Sequence, residues 1–361
     1  MFYIVIYLVF YPIFLFLSIF RKKNNKNLIV QTAKIGDYVN SSVIFNKLEN
    51  FDIIIDKVNY NFVINEKKIN HIYIINEYKK NLFNKLKLVF SIFWNNYKNV
   101  YILMPNSFNL FLGQMSFAKN IITIQHYSNK WYEKVLMIGM KKIIHTKEDL
   151  TIKSYLKMVN ENNIYQNWKT IPIIKPKQNL INSNKFKIGI SLSAGNKLKT
   201  IDNETWQKVF NILEKFECEY YIFGLENENI YLEQIKKLNL KNPIISLLGK
   251  ISLKELPFYI SQINLYISSD TGNSYIADSF NIPLINFAGP CYMKEQKPIG
   301  KNVLIIESNA KCIPFSFIFK APYESKCNNL YTITKNQEIE IEKFIIKIYK
   351  DFQFFEYKNL N

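Results

Sequence analysis

One stretch limits the possible folds of this chain more than any other. It runs from Ile263 to Gly289 and reads INLYISSDTGNSYIADSFNIPLINFAG. Asn264 to Ser268 has the apolar run of a short buried strand, with Leu265, Tyr266 and Ile267 at its centre. Ser269-Asp270-Thr271-Gly272-Asn273 is a cluster of turn and cap residues. Ser274 to Phe280 has helical spacing, and Pro283 to Phe287 forms the next strand before Gly289-Pro290. Strand, polar turn, helix and strand make a βαβ unit, and such units bind ligands at the carboxyl end of the strand. The first amides of the helix lack internal partners and suit an anion such as a diphosphate. A plain helix cap by Asp270 or Thr271 explains the same residues equally well. An anionic Asp beside a phosphate is unfavourable, so Asp270 is expected to cap the helix or to meet a hydroxyl.

The same alternation extends through the chain. Leu28-Ile29-Val30-Gln31 is a strand, and Thr32-Ala33-Lys34-Ile35-Gly36-Asp37 follows it. A helix from Tyr38 to about Leu48 comes next, its apolar residues on one face. Taken alone, Asp37 there is a helix cap at the tip of the first strand. Apolar runs at Ile53–Ile55, Ile72–Ile75, Val100–Leu103 and Ile121–Ile124 predict further strands. Tyr78–Tyr97 and Lys147–Val159 read as helices. This alternation implies a largely parallel sheet. Residues 166–186 are polar and carry two prolines, as a linker between domains does. A second domain over residues 187–335 opens with Lys187 to Leu192 and a small-residue loop, Ser193 to Lys199. That loop can wrap a phosphate with amides and the charge of Lys199, or leave the lysine in solvent. Glu226 lies just after the strand around Tyr221, where acids in a first helical turn are common anyway. Residues 336–361 predict a final amphipathic helix, expected to pack back on the first domain.

Met1 to Phe20 carries no charged side chain, and Arg21-Lys22-Lys23 follows at once. About 20 apolar residues are enough for a ~30 Å hydrocarbon layer. Neither a basic n-region nor a small-residue cleavage site is present. The segment therefore reads as an uncleaved anchor at residues 1–20, with the basic side cytoplasmic. A helix lying in the interface, or packed on the protein, is the alternative.

With 361 residues, 48% of them hydrophobic and 21% charged, the chain can bury two cores of ordinary size. Its formal net charge of +18 favours anionic partners: nucleotide diphosphates, phosphorylated glycolipids or an anionic inner-leaflet membrane surface. No nucleic-acid-binding motif is present, and the lysines are dispersed, so no nucleic acid is expected as a partner. Cys218, Cys291, Cys312 and Cys327 form no C-x-x-C pair and lie apart from the three histidines. That argues against a metal site and for reduced, free thiols.

Ser-Asp-Thr-Gly-Asn-Ser-Tyr-Ile-Ala-Asp, followed by Ile-Pro-Leu-Ile and Phe-Ala-Gly-Pro, resembles the D-[ST]-G-x-x-H-x-A…P…GP signature of bacterial heptosyltransferases, glycosyltransferase family 9. Tyr275 stands where that signature has His. The resemblance covers residues 28 to 350. It implies an α/β protein of GT-B type: two Rossmann-like, doubly wound domains facing across a cleft, here preceded by an N-terminal hydrophobic helix. Residues 27–165 would then take the acceptor and residues 187–335 the nucleotide sugar. It further implies Asp37 as the catalytic base, and Lys199, Glu226, Asp270, Thr271, Gly272 and Asn273 as the donor-binding set. Lys34, Gly36 and Tyr275 are acceptor or loop candidates.

The implied reaction is an inverting, metal-independent transfer of a heptose. The co-substrate is a nucleotide sugar, ADP-linked in the family, and the acceptor a glycolipid, lipopolysaccharide core or other surface glycan. The expected location is the cytoplasmic face of the inner membrane, and no cofactor is called for. Two alternatives stand beside it: a GT-B transferase with a different donor, and a catalytically degenerate, membrane-tethered binding protein. The absence of a strand followed by G-x-G-x-x-G disfavours a dehydrogenase.

Overall fold

The chain folds as two units, Met1–Pro172 and Ile173–Asn361. The computed structural model describes residues 1–22, 24–162, 169–319, 327 and 329–360. The division falls inside the predicted linker, of which residues 166–168 lie outside the described residues.

The first unit runs α1 (Phe2–Ser18), β1 (Asn27–Gln31), α2 (Ile35–Ser41), β2 (Phe51–Ile55), α3 (Tyr60–Val63), β3 (Ile69–Ile74), α4 (Ile75–Tyr78) and α5 (Leu82–Asn95). It continues through β4 (Asn99–Ile102), α6 (Ser107–Met115), β5 (Asn120–His126), α7 (Trp131–Leu136), β6 (Lys141–His145) and α8 (Thr151–Met158). Its sheet has the order β3-β2-β1-β4-β5-β6, and every pair is parallel. The strand order reverses between β1 and β4, which opens a crevice beyond the tip of β1.

The second unit repeats the plan: β7 (Phe186–Ile190), α9 (Asn203–Leu213), β8 (Cys218–Ile222), α10 (Asn229–Lys236), β9 (Ile244–Ser246) and α11 (Leu256–Ile260). Then come β10 (Leu265–Ser269), α12 (Gly272–Ser279), β11 (Leu284–Phe287), β12 (Val303–Ile306) and α13 (Lys335–Leu360). Its parallel sheet has the order β12-β11-β10-β7-β8-β9, with the reversal between β7 and β10. Central strands such as β2 and β10 are buried at every position, as a sheet covered on both faces requires.

Several elements differ from expectation. Strand β6 was not expected: of its residues KKIIH only the last is buried, so its edge position left no apolar run to read. Helix α6 was not expected because seven of its nine residues are buried, which erases the amphipathic period. The predicted helix after β1 ends at Ser41 and continues as a 3₁₀ turn, Ser42–Lys47. Helix α13 sends Ile341, Ile345 and Ile348 into the core of the second unit and packs on α9 and β12. Its apolar face packs within the second unit. Cys312 and Cys327 are joined by a disulfide, which corrects the expectation of four free thiols; Cys218 and Cys291 remain thiols. The two cysteines lie 15 residues apart in the segment after β12.

The N-terminal segment forms a helix packed on the first unit. Helix α1 has 17 residues, about 25 Å at 1.5 Å per residue, and Pro12 lies within it. Among the described residues no helix is long and apolar enough to cross a membrane. Instead α1 lies on the first unit, against α6 and α7, with Ile6 and Phe14 buried. Arg21 fixes its end: the guanidinium donates to the carbonyls of Phe93 (2.7 Å), Ser116 (2.8 Å) and Phe117 (2.8 Å) and stacks 4.3 Å from the Phe93 ring. Those carbonyls sit at the ends of α5 and α6, where helix dipoles favour a cation.

Candidate active site

In the second unit the reversal between β7 and β10 places two loops side by side. Lys199 ends a 3₁₀ turn in the loop after β7, and Asp270 follows β10 directly. Lys199 Nζ lies 2.6 Å from Asp270 Oδ2, across 71 residues of sequence. The Tyr275 hydroxyl donates to Asp270 Oδ1 at 2.5 Å, and the Cys291 thiol approaches Oδ2 at 3.2 Å. Burial works against the charge on Asp270, but Lys199, Tyr275 and Cys291 hold it below the ordinary carboxylate value. Burial would lower Lys199; the Asp270 carboxylate outweighs this and keeps the amine protonated. Burial and the neighbouring carboxylate push the Cys291 thiol up to about 12. The pair is therefore a fixed zwitterion over neutral pH.

Asp270 meets the Tyr275 hydroxyl and does not occupy the N-cap of α12. Thr271 occupies the N-cap position with extended backbone. Ser274 closes the first turn: its Oγ donates to the Thr271 carbonyl at 2.7 Å and accepts from the Thr271 amide at 3.3 Å. Thr271 Oγ1 is buried and has no partner. Gly272 and Asn273 begin the helix, and Asn273 Nδ2 donates to Ser191 Oγ at 3.0 Å. Ser191 in turn meets the Tyr266 hydroxyl at 2.8 Å, so the tip of α12 is tied to β7 and β10. The Tyr266 ring crosses β7 at Gly189, where a Cβ would stand 2.6 Å from the ring. Tyr275 is 2% exposed and faces inward to Asp270. It is a positioning residue here and not a surface for an acceptor sugar.

Glu226 is exposed after β8, in a shallow cleft of about 410 Å³ that it shares with Ser246, Leu248, Gly249 and Lys250. Gly249 has φ +67°, and its missing side chain lets the Glu226 backbone approach. This cleft lies at the carboxyl ends of β8 and β9, on the same edge of the sheet as Lys199.

In the first unit, Asp37 is half-buried in the first turn of α2. Lys34 stands at the N-cap, and Asp37 lies in the first turn that follows. Gly36 lies in that same first turn. Lys34 is 77% exposed and pairs with Asp56 at 3.3 Å, a contact of little energy in solvent. Two residues that the sequence did not single out shape the loop before α2. Buried Asn59 donates to the Ala33 carbonyl at 2.8 Å, and buried Asn109 to Thr32 Oγ1 at 2.7 Å. In a chain so rich in Asn, neither had a signal of its own. His126, at the end of β5, is held by Ser128 at 3.0 Å and Asn129 at 3.0 Å. Burial lowers it to about 4, against the opposing pull of Glu133.

Residues 143–316 match the model of Glycosyltransferase family 9 (heptosyltransferase). That stretch, a little under half of the chain, marks a glycosyltransferase that resembles family 9. The match begins in β6 and covers both the Lys199 loop and the stretch from Asp270 to Gly289. No curated protein matches the chain. Among solved structures the transferase is similar to the ADP-heptose lps heptosyltransferase II of E. coli, with TM-score 0.64, 14% identity, and 90% of this chain and 99% of that one covered. It is similar to the glycosyl transferase family 9 protein of Veillonella parvula, with TM-score 0.65, 14% identity, and coverage of 90% and 98%. The E. coli heptosyltransferase WaaC with ADP matches with TM-score 0.61, 15% identity, and coverage of 90% and 99%. At such identities the likeness establishes the fold: two parallel six-stranded sheets in a GT-B-like α/β architecture. Among the described residues no group of three or more His, Cys, Asp or Glu side chains is arranged to hold a metal ion.

Proposed function

We propose that the transferase moves a heptose, or a closely related sugar, from an ADP-linked donor to a lipopolysaccharide core or another surface glycan. The observation that carries this reading is the Lys199–Asp270 pair beside the first turn of α12, at the strand reversal of the second unit. A departing nucleoside diphosphate gathers negative charge. The amides of Gly272 and Asn273 and the Lys199 ammonium offer fixed positive charge to balance it. In this reading the balance comes from protein groups and needs no metal.

Asp37 is the general base. It takes the proton of an acceptor hydroxyl, and the oxygen attacks the anomeric carbon. The bond from that carbon to the phosphate oxygen breaks, and its electron pair leaves with the diphosphate, so the anomeric configuration inverts. Glu226 would hold the ribose hydroxyls from the cleft beside β8. The site of action would be the cytoplasmic face of the inner membrane.

Tyr275 favours a second reading, a GT-B transferase with another nucleotide sugar. Its hydroxyl stands where the family signature has an imidazole and, through Asp270, sets where Lys199 is held.

Purified protein incubated with ADP-heptose and with other ADP-, UDP- and GDP-sugars, with core glycan and with chelator, tests both. Release of ADP from ADP-heptose that depends on the glycan and persists with chelator supports the first reading. Release only from another donor supports the second. Binding of nucleotide without release from any donor overturns both.

A further inference from the structure

Helix α1 leaves one face of the molecule apolar. Its inner side is spent on the first unit, yet Leu8 is 65% exposed and Phe16 62% exposed, with Phe2, Val5 and Ile13 also exposed. The face does not stop at α1. Phe14 meets Phe90 of α5 at 4.9 Å between ring centroids, and Tyr3 lies beside Lys85 of the same helix. Phe83, Lys87, Phe90 and Trp94 follow one another at spacings of four, three and four residues and are all exposed. On the other flank α1 touches α7, whose Trp131 and Val135 are exposed, as is Ile138 just beyond its end.

The charges on this face have one sign. Residues 1–22 and 82–95 contain no Asp or Glu. Exposed Lys22, Lys87 and Lys134 border the apolar residues. The one acid on α7, Glu133, is turned to Ser107 and Asn129. An apolar stripe with tryptophans at its margin and lysines around it suits the boundary between anionic headgroups and acyl chains. The Arg21 contacts hold α1 along the first unit, so its long axis runs with the protein surface and not away from it.

We propose that α1, with the exposed stripes of α5 and α7, is an in-plane foot that docks the transferase on an anionic phospholipid bilayer without crossing it. This deepens the membrane location proposed above and rests on it, but its readout requires no turnover.

The test is co-sedimentation of the full chain with vesicles of phosphatidylcholine and phosphatidylglycerol mixed three to one, and with phosphatidylcholine alone. The protein should pellet with the mixed vesicles, bind the neutral ones roughly tenfold less, and come off in alkaline carbonate. The double variant Leu8→Asp, Phe16→Asp should lose binding roughly tenfold with an unchanged melting temperature. Lys87→Glu with Lys134→Glu should remove the preference for the anionic vesicles.

Retention after carbonate would overturn the in-plane foot in favour of a span. Equal binding to both vesicle types would overturn the charge argument. Failure to bind, with a dimer that Leu8→Asp dissolves, would show that a second copy covers the face. ADP-heptose turnover on soluble acceptor, followed in the same variants, separates loss of docking from failure of the transferase reading.

Discussion

The Tyr275 hydroxyl sits 2.5 Å from Asp270 Oδ1 while Lys199 holds Oδ2 at 2.6 Å, so one buried carboxylate is gripped from both sides. Removing the hydroxyl leaves that oxygen short of a donor where water does not reach. Tyr275→Phe should cost about 2 kcal/mol of stability, in line with hydrogen bonds to charged groups. Tyr275→His, which returns an N–H donor, should recover part of it. Chemical denaturation of the three proteins checks the order.

Lys199→Met strands Asp270 without its cation. A stability loss of about 2–4 kcal/mol is expected, together with roughly tenfold weaker binding of ADP by calorimetry. The pH dependence follows from the sign of the Asp270 shift. Its folded value is depressed, so its contribution is present above the unfolded value near ~3.9 and is lost as pH falls through the folded value. Denaturation of Asp270→Asn below about pH 4 should lack that component of the acid loss seen in the parent.

His126 predicts a different window. Its folded value of about 4 lies below its ordinary value of 6.5. The unfolded chain therefore binds a proton that the fold refuses, and stability should fall as pH drops from 6.5 towards 4. His126→Asn should flatten the curve of melting temperature against pH in that interval. An unchanged slope would mean that the imidazole is solvated.

Asp37→Asn tests the base. Turnover should fall by roughly 10³-fold or more, with ADP affinity and melting temperature close to the parent, because the residue is half-buried in the other unit from the donor site. Persistent turnover would assign the base elsewhere.

Gly189→Ala should lower the melting temperature by about 5 °C. The new Cβ would stand 2.6 Å and 2.9 Å from ring carbons of Tyr266, and overpacking of this kind costs about 1–3 kcal/mol. The same shift should move the Tyr266 hydroxyl off Ser191 and loosen Asn273 at the tip of α12.

What the sequence determined by itself was local. The strands β1, β2, β7 and β10 and the turn at Asp270 to Asn273 follow from residues within a few positions of each other. Apolar period and capping chemistry act at that range and can be read directly. The doubly wound order was legible as a consequence, because parallel strands joined by helices have few ways to close.

The tertiary structure decided everything that depends on distant partners. The sequence offered Lys199 and Asp270 as members of one donor set; only the β7–β10 pairing shows that they hold each other across 71 residues. That pairing also turns Tyr275 inward and brings Asn273 to Ser191. Asn59 and Asn109 became positioning residues only when the loops carrying them met the tip of β1. The packing of α1 depends on distant partners in the same way. An uncharged stretch of 20 residues fits both a span and a packed helix; that it lies against the apolar surface of α5, α6 and α7, with Arg21 on three backbone carbonyls, is seen only in the structure.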